Sequence, residues 1–285
     1  MLSFFSKLLS YFPLSFVHYL GAALGWLFNW LSPKSAKNRR ENLAQSGLCT
    51  DEVLYQNTIK SNIRETGKAI LETFVIWAKS NDDIRSLVKQ VHNWQTVEQA
   101  LARRSGIIFL TPHMGCFEIT SLYYALHHPI SVLYRPPKLK WLAPIIRAGR
   151  ERNNVKLAPA NMQGVKTLMQ ALKRGEAIGI LPDQIPQAGE GEWANFFGKP
   201  AYTMSLASKL AEKTSATVIM AFGERLANGE GFTIHLKEIE SIATPALLNA
   251  ALEAQIKQCP SQYYWNYHRY KVSRKSKPPP SPLST

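Results

Sequence analysis

Cysteine is scarce in this sequence of 285 residues and occurs only at Cys49, Cys116 and Cys259. The three residues are an odd number and none belongs to a C-x-x-C pair, which argues against a disulfide framework and a structural zinc site. The pattern is compatible with a reducing compartment. Cys116 remains a candidate nucleophile with His113 nearby in sequence, although an inert buried cysteine is the commoner situation.

Acidic residues are also few, because 20 Asp and Glu stand against 34 Lys and Arg, a formal net charge of +14. This charge implies an anionic partner: a membrane surface, a nucleic acid, or an acidic protein or substrate. No recognised nucleic-acid motif accompanies the basic clusters at 34–40, 147–152 and 269–277, so nucleic-acid binding is the least favoured alternative. A hydrophobic content of 45% indicates a folded globular chain.

Charged side chains are missing altogether from residues 8–31, the longest apolar segment. The segment is long enough to span a bilayer as a helix, but Pro13, His18 and Asn29 make it an imperfect span. It can also lie in the membrane interface or form a buried core helix. Basic residues follow directly and predict that this flank stays on the cytoplasmic side: Lys34, Lys37, Arg39 and Arg40. We predict an N-terminal membrane-anchoring helix within residues 1–32, with spanning and interfacial attachment both open.

Beyond this segment the sequence alternates between short apolar runs and amphipathic stretches. A helix is predicted over 51–80. Four runs suit strands that are buried on both faces: 106–110, 130–134, 177–181 and 216–222. Helical stretches between the runs indicate βαβ units. The sequence therefore predicts an α/β fold with a mostly parallel central sheet flanked by helices, a folded domain over 33–274 and a disordered Pro/Ser-rich tail over 275–285.

Two H-x4-E motifs occur, and the predicted structure separates them. His235 and Glu240 fall within one alternating strand, which places them on opposite faces and about 16 Å apart. His113 instead follows a buried strand and Pro112, at the end of the sheet where α/β proteins bind ligands. A turn before a helix can bring Glu118 next to the imidazole. The alternative is that His113 caps the following helix and Glu118 offsets its dipole.

Polar side chains follow two other predicted strands. Arg135 comes directly after the 130–134 strand, and Asp183 and Gln184 follow the 177–181 strand. Arg150 lies at the end of a predicted helix. Each of these positions has an ordinary explanation as a turn or a helix terminus. Because parallel strands end at the same edge of a sheet, their convergence there with His113 predicts a ligand site.

The order of these blocks resembles the bacterial lipid A late acyltransferases over most of the chain. The similar blocks are "NRRENL" (38–43), "HMGCFE" (113–118), "YRPP" (134–137), "GR" (149–150), "PDQ" (182–184), "FFGKPA" (196–201) and "YYWNYHRYK" (263–271). By this resemblance, His113 and Glu118 are the catalytic dyad, with Glu118 orienting His113. The resemblance also implies that Arg135, Arg150, Asp183 and Gln184 lie in the substrate-binding cleft.

The resemblance further implies direct acyl transfer that requires neither a metal nor a redox cofactor. His113 would deprotonate a lipid hydroxyl, which then attacks a thioester carried by acyl carrier protein or coenzyme A. The expected acceptor is a phosphorylated glycolipid at the cytoplasmic face of the bacterial inner membrane. Related enzymes with the same blocks acylate other glycolipids or ornithine lipids. Lysophospholipid acylation and a non-catalytic basic lipid-binding protein also stay open as alternatives.

Overall fold

The computed structural model describes residues 2–137, 139–152 and 154–271. The helices are α1 Leu2–Ser10, α2 Leu14–Leu31, α3 Pro33–Ser46, α4 Glu52–Ala78, α5 Asn81–Leu87, α6 Trp94–Arg103, α7 Phe117–Tyr124, α8 Ala143–Arg150, α9 Met162–Lys173, α10 Leu206–Thr214 and α11 Pro245–Gln258. The strands are β1 Val88–His92, β2 Ile107–Leu110, β3 Ile130–Tyr134, β4 Val155–Pro159, β5 Ala177–Ile180, β6 Gly191–Phe196, β7 Lys199–Met204, β8 Thr217–Arg225 and β9 Phe232–Glu238. The predicted disordered tail over 275–285 lies outside the described residues.

A seven-stranded sheet in the order β1-β9-β8-β2-β5-β3-β4 forms the centre of the fold. Its neighbouring strands are parallel except β8 and β9, which pair antiparallel. A separate antiparallel hairpin consists of β6 and β7. The prediction of a mostly parallel sheet flanked by helices is confirmed.

Helices cover both faces of this sheet, which explains the continuous apolar runs in the central strands. All four residues of β2 are buried, as are all four of β5. Successive side chains of a strand point to opposite faces, so Ile107 and Phe109 belong to one hydrophobic cluster, while Ile108 and Leu110 belong to the other. The sheet thus separates two hydrophobic cores.

Pro13 divides the apolar segment over 8–31 into two helices, α1 and α2. The continuous helix considered from the sequence is therefore not formed. Among the helices of the described ranges, none has the length and hydropathy needed to cross a membrane. The alternative of a helix that spans the bilayer is therefore not supported.

The helices α2 and α4 cross at very close range through glycines. A Cβ atom built on Gly67 would lie 2.0 Å from the Gly21 carbonyl oxygen and 2.5 Å from the Gly25 nitrogen. A Cβ on Gly25 would lie 2.2 Å from the Ile63 carbonyl oxygen. Small residues at these positions let the two backbones touch, as in other closely packed helix pairs.

A buried group of charges reinforces the same junction. The His18 Nε2 atom of α2 donates to Glu72 Oε2 of α4 at 2.8 Å, and Arg225 Nε of β8 donates to the same oxygen at 2.7 Å. Burial alone would raise the pKa of Glu72, but the charge of Arg225 and the bonds from both partners outweigh it and lower the pKa to about 2. The N-terminal helices are therefore fastened to the sheet by packing and by charge.

Replacing Gly67 by alanine is expected to destabilise the protein by about 1–3 kcal/mol, because the added methyl group overlaps the α2 backbone. The better helix propensity of alanine would offset only about 0.5–1 kcal/mol of this cost. Urea unfolding measures the difference. Asn57→Ala is the matched control, since Asn57 is an exposed residue of the same helix. A Gly67→Ala protein as stable as wild type would contradict the close crossing.

Candidate active site

The loop that carries His113 connects β2 to α7 and is fixed by backbone hydrogen bonds. Gly115 has φ +57°, and a Cβ there would lie 2.1 Å from the Gly223 carbonyl oxygen. The same oxygen accepts a bond from the Cys116 N–H at 2.8 Å. A glycine is needed because the loop is left-handed at a point where it touches β8. This tight turn directs the His113 side chain out of the sheet.

Asp183 holds the His113 imidazole. Its Oδ1 atom lies 2.8 Å from His113 Nδ1, and its Oδ2 atom accepts the His113 backbone N–H at 3.0 Å. Burial alone would raise the pKa of Asp183, but the charge and hydrogen bonds of His113 outweigh it and lower the pKa below its usual value. An ionised carboxylate only accepts hydrogen bonds, so His113 Nδ1 carries a proton and neutral His113 presents the Nε2 lone pair.

The Gln184 side chain forms a hydrogen bond to that lone pair. The Gln184 Nε2 atom lies 3.2 Å from His113 Nε2 and can only act as donor to it in this tautomer. The structure thus brings together His113, Asp183 and Gln184, three of the six predicted site residues.

Glu118 contacts Arg150 instead of His113. Arg150 Nε donates to both carboxylate oxygens at 2.9 Å, and Arg150 Nη2 also donates to Oε1. Burial would lower the pKa of Arg150, but Glu118 outweighs it and raises the pKa above its usual value. The guanidinium lies 5.7 Å from the centre of the Trp77 ring. The expected orientation of His113 by Glu118 is replaced by Asp183, while a role for Glu118 in catalysis stays a prediction.

Arg135, predicted in the cleft, and two neighbours of Arg150 in sequence occupy different surroundings. Arg135 is exposed after the end of β3. Arg147 pairs with Glu151 on the surface at 2.9 Å. Arg152 donates to the backbone carbonyls of Ile76 and Lys79 and so ties the end of α8 to α4.

A cavity of about 340 Å³ opens in front of His113. Its walls are α4, the His113 loop, Gln184 and the segment after α11. A second cavity of about 30 Å³ lies between α7 and the sheet, has a mainly apolar lining and includes the Glu118–Arg150 pair. Phe117 lines both cavities. Arg135 and Arg150 do not line the larger one.

Residues 261–269, here called the C-terminal segment, support the site, although no chemical feature of the sequence predicts this role. The Tyr264 N–H donates to the His113 carbonyl oxygen at 3.0 Å, and Met114 forms a β-bridge with Tyr263. The Tyr267 hydroxyl accepts the Ile185 N–H at 3.1 Å, next to Gln184. The "YYWNYHRYK" block was the available signal, but its contacts could not be read from it.

Residues of α3 and α4 in turn hold the C-terminal segment. Asn42 Nδ2 donates to the Trp265 and Tyr267 carbonyls at 2.7 Å, and Asn62 Nδ2 donates to the Tyr263 carbonyl at 2.6 Å. Arg39, one of the basic residues that follow the apolar segment, is buried and donates to Asn62 at 2.8 Å. The "NRRENL" block therefore supports the site indirectly, through its hydrogen bonds to the C-terminal segment and to Asn62.

Two other candidates are resolved by their surroundings. Cys116 is buried, and burial raises the pKa of its thiol well above its usual value, which disfavours a nucleophilic thiolate. His235 lies 2.7 Å from Glu224, on the neighbouring strand β8, instead of pairing with Glu240. In the described part of the chain, no three His, Cys, Asp or Glu side chains form a group that could hold a metal ion.

Comparison with known proteins places the chain in a family. A profile described as "Bacterial lipid A biosynthesis acyltransferase" matches residues 1–272. The chain is 26% identical over 283 residues to a lipid A biosynthesis acyltransferase of Haemophilus influenzae, covering 94% of this chain and 88% of the relative. It is 24% identical to the lipid A biosynthesis lauroyltransferase of Escherichia coli, covering 91% and 87%, and 24% identical to the palmitoleoyltransferase of the same organism, covering 82% and 79%.

Proposed function

The chain belongs to the bacterial lipid A biosynthesis acyltransferases and is an O-acyltransferase, and we propose that it moves a fatty acyl chain from a thioester to a hydroxyl of a lipid A precursor. The observation that carries this proposal is the His113–Asp183 pair, which directs the basic Nε2 atom of His113, hydrogen-bonded to Gln184, toward a cavity of about 340 Å³. A neutral imidazole of this kind removes a proton from an alcohol, and a buried carboxylate stabilises the imidazolium that forms.

The donor in this proposal is an acyl group on acyl carrier protein or coenzyme A. Either carrier is anionic and is favoured by the net charge of +14. The apolar cavity between α7 and the sheet is suited to the acyl chain, and Phe117 lies at the boundary between that cavity and the reacting groups. The acyl chain enters this cavity by displacing the Phe117 ring, because the cavity has a volume of only about 30 Å³ while the ring is in place.

The acceptor in this proposal is a phosphorylated glycolipid, with the hydroxyl of a lipid-linked acyl chain as nucleophile. His113 serves as the base, and Glu118 contributes by fixing Arg150 in place. Arg150 Nη1 has no hydrogen-bond partner among the described residues and is the group that would contact the anionic part of a substrate. Arg135, exposed beyond the same edge of the sheet, supplies a further positive charge.

We place the enzyme on the cytoplasmic face of the bacterial inner membrane, attached through the outer surface of α1 and α2. One face of α2 packs on α4 through Leu14, Val17, His18, Gly21 and Gly25. The opposite surface exposes large aromatic side chains, and aromatic residues of this kind are typical of the lipid headgroup region: Tyr11, Phe12, Phe16, Tyr19, Trp26 and Trp30. The exposed Lys34, Lys37 and Arg40 follow at the start of α3 and complement anionic lipids.

Mass spectrometry of lipid A from cells with and without the gene tests the reaction. We expect the lipid A of cells that carry the gene to be heavier by one acyl chain, because the proposed transfer adds one ester. Cells that carry His113→Ala serve as the matched control and should resemble cells without the gene. If lipid A is unchanged and the enzyme transfers the acyl group of a thioester to another purified lipid, that lipid is the acceptor. Absence of turnover on every membrane lipid would instead favour a non-catalytic lipid-binding protein.

A further inference from the structure

The Gln184 carboxamide occupies the one atom of His113 that the reaction needs free. Asp183 fixes the proton on Nδ1, so Nε2 is the only basic nitrogen, and Gln184 Nε2 lies 3.2 Å from it. The same carboxamide lines the cavity in front of His113 together with Phe117 and Tyr264. An acceptor hydroxyl must hydrogen-bond to Nε2 before it loses its proton, so Gln184 and the acceptor compete for one lone pair.

Displacement leaves the Gln184 N–H groups beside the reacting centre without their former partner. A half-buried donor that loses its hydrogen bond costs free energy until it finds another acceptor. The attack of the hydroxyl on the thioester generates such an acceptor, because negative charge accumulates on the carbonyl oxygen. Among the described side chains that line the cavity, Gln184 is the neutral N–H donor in direct contact with the catalytic imidazole.

We propose that Gln184 is a catalytic residue that exchanges partners, from His113 Nε2 in the resting enzyme to the thioester oxyanion during transfer. The inference rests on the proposed acyl transfer and adds a role to one of its residues. The backbone supports the exchange, because the Tyr267 hydroxyl fixes the Ile185 N–H at 3.1 Å, while His113 is the one hydrogen-bond partner of the Gln184 side chain among the described residues.

The step balances without a further reactant. The acceptor O–H gives its proton to His113 Nε2 as the oxygen forms a bond to the thioester carbon, and the C=O electron pair moves onto oxygen as an oxyanion held by Gln184. When the pair returns, the C–S bond breaks and the departing sulfur takes the proton from His113 Nε2. The products are an ester and a free thiol, and Gln184 returns to His113.

Gln184→Met tests the exchange, because methionine matches glutamine in length but cannot donate. We expect kcat for transfer from an acyl thioester to purified acceptor to fall about 10²–10³-fold, which is the loss found when one oxyanion donor is removed. The KM for the donor should change by less than about threefold, since the bond forms only during reaction. Gln187→Met is the matched control, because Gln187 is exposed three positions later in the same loop.

A role for Gln184 in the resting enzyme alone predicts no loss of kcat in Gln184→Met. If Gln184 only bonded His113 in the resting enzyme, its removal would free Nε2 and leave kcat unchanged or higher. Rates are measured across a pH series up to the plateau that the rate reaches at high pH. A loss that persists on the plateau supports the exchange, and a loss that vanishes there overturns it.

The outcomes of this experiment separate the inference from the proposed function. Without turnover by the wild-type enzyme, the acyl-transfer proposal fails and takes the inference with it. Wild-type turnover with an equally fast Gln184→Met enzyme overturns the inference alone. Gln184→Leu, which also lacks a donor, is measured in the same way if Gln184→Met does not fold.

Discussion

His113→Ala is expected to reduce acyl transfer by about 10²–10⁴-fold, which is the contribution of a positioned general base. Asp183→Asn is expected to cause a loss on the order of 10³–10⁴-fold, although it keeps the size of the side chain. An asparagine amide in this position can donate to Nδ1 and so move the imidazole proton to Nε2, where it blocks the base. Initial rates with an acyl thioester and purified acceptor measure both effects.

The double variant gives the sharper comparison. Residues that act as one unit are not additive, so His113→Ala combined with Asp183→Asn should be about as slow as His113→Ala alone. Circular dichroism and vesicle binding serve as controls for folding and attachment. Cys116→Ala, next to the same loop, should keep most of the activity. Full activity of His113→Ala, or an acyl group trapped on Cys116, would refute direct transfer through His113.

Arg150→Met is expected to destabilise the protein by about 3–5 kcal/mol, because it leaves the buried Glu118 carboxylate without its partner. Glu118→Gln in the Arg150→Met background removes that charge and should recover most of the lost stability. Transfer activity should nevertheless stay about 10- to 100-fold below wild type, if Arg150 Nη1 makes a charge-assisted bond to the substrate. Urea unfolding and initial rates on the same preparations measure the two effects separately.

Arg147→Met is the matched control for this cycle. Arg147 lies one turn earlier on α8, and its pair with Glu151 is exposed, so its loss should cost less than about 1 kcal/mol. Wild-type activity in the Arg150→Met, Glu118→Gln double variant would show that the pair only positions α7 and α8. The substrate-binding role of Arg150 would then be withdrawn.

The sequence was most informative where burial alone determines structure. The run at 130–134 coincides with β3, and the helix predicted over 51–80 corresponds to α4. The strands β1 and β4 were not predicted, because they lie at the edges of the sheet and include exposed positions. The β6–β7 hairpin was missed for a similar reason, since Phe196 is the one fully buried residue of β6.

The partners of His113 could be predicted as a set but not as pairs. His113, Asp183 and Gln184 were expected at one edge of the sheet because parallel strands end together. The sequence could not show that Glu118, in the first turn of α7, would be taken by Arg150 from α8. Spacing within a motif fixes which residues are near one another along the chain, whereas the choice of partner depends on elements that approach from elsewhere.

The position of the C-terminal segment sets the order in which the enzyme can become active. The His113 loop bonds to Gln262 and Tyr264, and the loop after β5 bonds to Tyr267, so both halves of the site are braced by the C-terminal segment. On the ribosome, the strands that carry His113 and Asp183 emerge long before their brace. The loops that carry His113 and Asp183 therefore gain these hydrogen bonds only after the C-terminal segment, which follows them in the chain, has been made.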